Sequence, residues 1–107
     1  MSKPPESFTP LPYIDEIACQ IMREAGHADL DWLDLFRIYA VLALAKGEAT
    51  TAEDVHDAWS AFMMPRAPSH VSLVPFDQLR PETQALDEPY VQAIHAVART
   101  IQKEATV

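Results

Sequence analysis

The chain has only two glycines and one cysteine in 107 residues, and it has no long apolar run. A phosphate-cradling loop is excluded, because Gly26 and Gly47 each stand alone just past an apolar stretch, where a left-handed helix cap belongs. The single thiol, Cys19, cannot form an internal disulfide. Set among Ile17, Ala18 and Ile21, it reads as a small hydrophobe in a reducing, cytoplasmic setting. The apolar run from Ile38 to Ala45 is too short to span a bilayer, and the start Met-Ser-Lys-Pro-Pro-Glu shows no signal peptide. No membrane partner is expected.

Positive charge is scarce as well. Eight Lys and Arg stand against sixteen Asp and Glu, for a formal net charge of -8, and the bases form no stripe. Nucleic acid is therefore not an expected partner. No stretch alternates with period two and no pair of runs is joined by a hairpin turn, which leaves no basis for a sheet. The composition, 49% hydrophobic and 22% charged, is that of an ordinary globular domain.

The remaining signal is helical. Pro4, Pro5 and Pro10 with no apolar period predict an extended arm over residues 1–11, followed by one all-α domain over 12–105. Ile14, Ile17, Ala18, Ile21, Met22 and Ala25 predict a first helix over 12–25, with Pro12 at its first position and Gly26 after it. Asp31 is placed to cap a second helix running to Lys46, with Leu30 and Leu35 as a staple. That helix is apolar on nearly all sides, the pattern of a central element. Thr50 and Glu53 read as a capping box for a third helix, which ends before Pro65. After a proline-rich loop, Pro81 begins a short helix, and Val91, Ile94, Val97, Ala98 and Ile101 lie on a last one. This gives four to five helices, grouped as an N-terminal pair over 12–47 and a second part over 50–105.

The chemistry concentrates between His56 and Phe76. His56 and Trp59 lie on the third helix, and Pro65-Arg66-Ala67-Pro68-Ser69-His70 forms a loop stiffened by proline. Arg66 and Arg80 are the only basic residues between Lys46 and Arg99. This inventory suits one small anion: Arg66 to grip a phosphate, His56 and His70 to hydrogen-bond, and Trp59 or Phe76 to stack on a base. Trp59 has a second reading as a core residue with one edge toward the loop. No histidines share a ligand spacing, so no metal is expected. No nucleophile, base and orienting group form a set, so an enzyme is not expected either, nor a cofactor.

His56, Trp59, His70, Leu73-Val74-Pro75-Phe76, Leu79, Glu82 and Asp87, in this order, resemble the repeat domain of ryanodine receptors. That family also occurs in small actinobacterial and phage proteins, and Val71 here replaces the proline that often follows the second histidine. The resemblance implies a non-enzymatic binding module that takes a nucleotide or other phosphorylated small molecule through the loop 65–76. The other class of function it leaves open is a phage or prophage accessory protein acting on a host protein. Receptor repeats pack in pairs, which implies a homodimer here. A monomeric mass in dilute solution would count against that.

Overall fold

The computed structural model describes residues 11–105, and among these there is no strand and no helix long and apolar enough to cross a membrane. Four helices of twelve or more residues carry the fold: α1 Tyr13–Ala25, α2 Leu33–Ala45, α3 Ala52–Met63 and, after a one-turn α4 at Pro81–Gln84, α5 Glu88–Ala105. The all-α expectation holds. The arm expected over 1–11 lies outside the described residues except for Leu11, which is exposed.

Each long helix buries the face that its apolar spacing marks. Ile17, Ala18, Ile21 and Met22 of α1 meet Leu35, Phe36, Tyr39, Ala40 and Ala43 of α2, and both pack on Val91, Ile94 and Val97 of α5. From α3, Val55, Ala58 and Phe62 close the core. Ile21, Phe36, Val55 and Ile94 are fully buried, and at about 25 cal/mol per Å² such side chains contribute roughly 1.5–3 kcal/mol each. Helix α2 packs against α1, α3 and α5, as its composition predicts, but Val41 and Leu44 on its remaining side are exposed. Arg37 of α2 reaches Asp15 of α1 through Nε at 2.6 Å and Nη2 at 3.1 Å, which fixes the angle of the first pair. That guanidinium holds the Asp15 carboxyl below its ordinary range.

Three helix starts differ from their expected form. Pro12 caps α1 from outside the helix instead of occupying its first position. Asp29, not Asp31, makes the next cap: its side chain accepts from the Asp31 amide at 2.9 Å and opens a 3-10 turn over Leu30–Trp32 before α2. Leu30 is 68% exposed, so the staple to buried Leu35 does not close. At α3 the capping box is Thr51 with Asp54. The Thr51 hydroxyl accepts from the Asp54 amide at 3.1 Å, and the Asp54 carboxylate accepts from the Thr51 amide at 2.9 Å. Thr50 is unavailable because it is buried, with its hydroxyl donating to the Gly47 carbonyl at 2.8 Å and its own carbonyl accepting from His95 Nε2 at 2.8 Å.

Gly26 does follow α1 with φ 69°, and the turn it makes lets the His27 amide reach back to the Met22 carbonyl at 2.9 Å. This folds His27 against the start of α2. Lys46 caps the end of α2, and Gly47 just past it takes φ 55° in the same left-handed region as it opens a 3-10 turn.

Replacing Thr51 by Ala should cost about 1 kcal/mol of stability through loss of the cap. Glu53→Ala should cost less, about 0.3–0.5 kcal/mol, because Glu53 is exposed in the first turn of α3 and contributes only through the macrodipole, with no part in the box. Denaturant unfolding of both variants distinguishes this box from one built on Thr50 and Glu53.

Candidate functional site

A cavity of about 320 Å³ opens between α2, α3 and the segment joining α3 to α5. Its floor comes from α2 and the turn before it, where Trp32, Leu35, Phe36 and Tyr39 follow one another at helical spacing on one face. His27, carried in by the Gly26 turn, packs its ring 5.1 Å from Phe36 and 6.3 Å from Trp32. The opposite wall is His56 and Trp59 of α3, one helical turn apart, whose rings stack at 5.7 Å with 22° between planes. His70 meets Trp59 edge-on at 5.0 Å. The remaining side is made by Leu79, Thr83, Leu86 and Asp87 before α5 and Tyr90 in its first turn.

Three of the five residues singled out from the sequence, His56, Trp59 and His70, therefore come together at the cavity. Trp59 is half-buried, in contact with the core and also facing the cavity. Phe76 stands behind His56, with ring centroids 6.1 Å apart, and supports it without lining the cavity. Arg66 is not brought in. Its Nη1 donates to the Phe62 carbonyl at 2.7 Å, its guanidinium lies 3.7 Å over the Phe62 ring, and Nη2 is 3.4 Å from Asp34. The cation closes the C-terminal end of α3, where carbonyls lack helical partners and the macrodipole is negative.

The hydrogen-bonding roles of two imidazoles follow from their partners. His56 Nε2 lies 2.7 Å from the Val74 carbonyl oxygen, which can only accept, so Nε2 carries the proton and Nδ1 of the neutral ring is an acceptor. His70 is the reverse. Its Nδ1 accepts from the Ser72 amide at 3.0 Å, leaving Nε2–H as a donor. His95 of α5 does not line the cavity and is committed to the Thr50 carbonyl. Among the described residues no group of three His, Cys, Asp or Glu is placed to hold a metal ion.

Several polar atoms at the cavity have no partner among the described residues. Tyr39 is 2% exposed, and its hydroxyl makes no hydrogen bond among the described residues. Burial pushes the Tyr39 phenol far above its ordinary range, with the Asp87 and Tyr90 charges adding to the effect, so Tyr39 stays a neutral O–H. Nδ1 of His27 is buried with no partner among the described residues. The Asp87 carboxylate makes neither a hydrogen bond nor an ion pair among the described residues. Its pKa is raised by burial, an effect partly offset by His56. The sequence did not single out Tyr39, Tyr90 or Trp32 as site residues, and it offered Asp87 only within the resemblance to the ryanodine receptor repeat, because these residues converge only through the tertiary fold. The available clue was the pair of polar-tipped aromatics, Trp32 and Tyr39, seven residues apart on an otherwise apolar helix face.

Two outcomes follow from these unpaired groups. A carboxyl whose native pKa is raised lowers stability once pH exceeds the ordinary carboxylate range, about 4, and costs nothing below it. Asp87→Asn should therefore melt higher than the unsubstituted protein at pH 7, with the difference shrinking toward pH 3 in thermal scans across pH. Tyr39→Phe should leave stability unchanged or raise it by up to about 1 kcal/mol in denaturant unfolding. A buried Tyr with a satisfied hydroxyl would instead lose about that much.

No curated protein and no solved structure matches the chain. The sequence profile of one family, described as Domain of unknown function (DUF7701), matches residues 12–99, a span from the start of α1 into α5 that includes every residue lining the cavity. The chain belongs to the DUF7701 family.

Proposed function

We propose that the protein is a non-enzymatic binding module that takes a small planar aromatic ligand into the cavity between α2, α3 and the start of α5. The observation that carries this reading is a 320 Å³ space walled by two indoles and edged by polar atoms without protein partners. The volume lies at the low end of small-molecule sites, with room for a nucleobase or nucleoside. Aromatic walls offer stacking, and the unpartnered Tyr39 hydroxyl and His56 Nδ1 offer orientation. The resemblance of His56, Trp59, His70 and Phe76 to the ryanodine receptor repeat supports a binding role over catalysis. The lone Cys19 supports a cytoplasmic setting.

The phosphate half of a nucleotide finds no counterpart in the cavity. Among the described residues its lining contains no Lys or Arg, and Arg66 is held on Phe62 and Asp34. The ligand class the geometry favours is the heterocycle alone.

Both tryptophans of the chain line the cavity, so intrinsic fluorescence reports its occupancy. Nucleobases and nucleosides should quench that fluorescence. At about a hundredfold above the dissociation constant they should stabilise the fold by roughly 2.7 kcal/mol, a melting shift of several degrees. The matching nucleotides should bind no more tightly, and Arg66→Ala should leave affinity unchanged. A phosphate-dependent gain lost in Arg66→Ala would return Arg66 to the site. Silence across nucleobases, nucleosides, nucleotides and other aromatic heterocycles would sink the binding reading.

A further inference from the structure

Resting on that binding reading, we infer that the cavity selects a planar organic cation, an aromatic ring bearing an amidinium or similar N–H-rich group, with Asp87 as its counter-ion. Three observations converge on this class.

The first is the charge of the lining. Among the described residues Asp87 is its only carboxylate, and no Lys or Arg lines it. An unpaired carboxylate in a partly desolvated aromatic pocket costs free energy that a bound cation recovers. The second is the sense of the hydrogen-bonding groups. With Nε2–H committed to Val74, the neutral His56 ring has Nδ1 as an acceptor, and the ionised Asp87 oxygens accept only, so with both groups in these forms this part of the cavity asks for donors. The third is the walls. Trp32, Trp59, Tyr39 and Tyr90 present ring faces or edges to the same space, and aromatic faces attract cations, Trp most strongly.

The groups facing Asp87 are His56 of α3, Tyr39 of α2 and Tyr90 of α5. Tyr39 is held as a neutral phenol by burial, so among the described groups facing Asp87 only a positive charge on His56 would compete with a ligand for the carboxylate. Asp87 also precedes α5, where a negative charge is favourable for the helix macrodipole. That role is structural and is indifferent to the charge of a ligand, which separates the two explanations.

The test is a tryptophan-fluorescence titration of the whole chain at about pH 8, where imidazoles are ordinarily neutral. The probes are benzamidine, a cation at that pH, its neutral isostere benzamide, and the anion benzoate. The expected result is benzamidine tighter than benzamide by about tenfold, with benzoate unbound. Asp87→Asn should abolish the preference while retaining benzamide binding, and Asp87→Glu should keep a preference for the cation. Circular dichroism confirms that both variants fold. Equal affinity for benzamidine and benzamide overturns the proposal and leaves the binding reading intact, as does a preference that survives Asp87→Asn. If none of the three probes binds but nucleosides do, the cation inference falls alone. If nothing binds, both fall.

Discussion

One hydrogen bond holds the site together. Between Met63 and Pro81 the backbone has neither a long helix nor a ladder, and its local turns, such as His70 to Ala67 and Leu73 to His70, do not attach it to the body of the protein. The bond from His56 Nε2–H to the Val74 carbonyl, at 2.7 Å, does. It joins a nearly buried side chain of α3 to the middle of the loop, where leaving either group unpaired would cost about 1–3 kcal/mol. Gln84 adds a second tie, donating to the Phe76 carbonyl at 2.9 Å. Pro65, Pro68 and Pro75 restrict the unfolded chain, so less entropy is lost when the loop is fixed. With Val74 anchored, Phe76 supports His56 from behind and His70 is brought against Trp59.

Around this anchored loop the protein leaves favourable interactions unmade. The cavity lining forgoes the dispersion contacts that a filled core would supply. Among the described residues the Tyr39 hydroxyl beside it makes no hydrogen bond, His27 has a buried unpartnered nitrogen, and Asp87 has a carboxyl that burial makes harder to ionise. Each cost is removable by a conservative substitution, and all three border one space. Elsewhere the polar groups are well matched: Thr50 and Thr51 satisfy the start of α3, Lys46 pairs with Asp54 at 2.8 Å, and Arg99 pairs with Glu48 at 3.0 Å. This concentration of unmet polar capacity in one concave place is the observation on which the proposed binding role rests.

The helices were legible in the sequence because each buries a single face, so spacing alone locates Ile17 to Met22 or Val91 to Val97. The caps were legible in kind but not in position. Thr50 and Thr51 are adjacent and alike, and only burial of Thr50 against Gly47 decides which one caps. The site was half legible. His56 and Trp59 share a face of α3, and His70 is near them in sequence, whereas Asp87 and Tyr39 are forty-eight positions apart by number and meet only when α5 packs on α2. Arg66 misleads because a basic residue in a proline loop suggests an anion site. Phe62 lies four positions earlier, however, and a carbonyl at that offset at a helix end is a ready partner for a basic side chain.

The electrostatics of the whole chain reinforce the local argument about ligand charge. Arg37, Lys46, Arg66 and Arg99 are each committed to a carboxylate, and the formal net charge is -8. An anion approaching the cavity meets a repulsive field outside and Asp87 within, while a cation is drawn by both. Salt screens the outer contribution over about 8–10 Å, but the contact with a partly desolvated carboxylate is screened far less. Discrimination by charge therefore depends mainly on Asp87, with the surface field affecting chiefly the rate of approach.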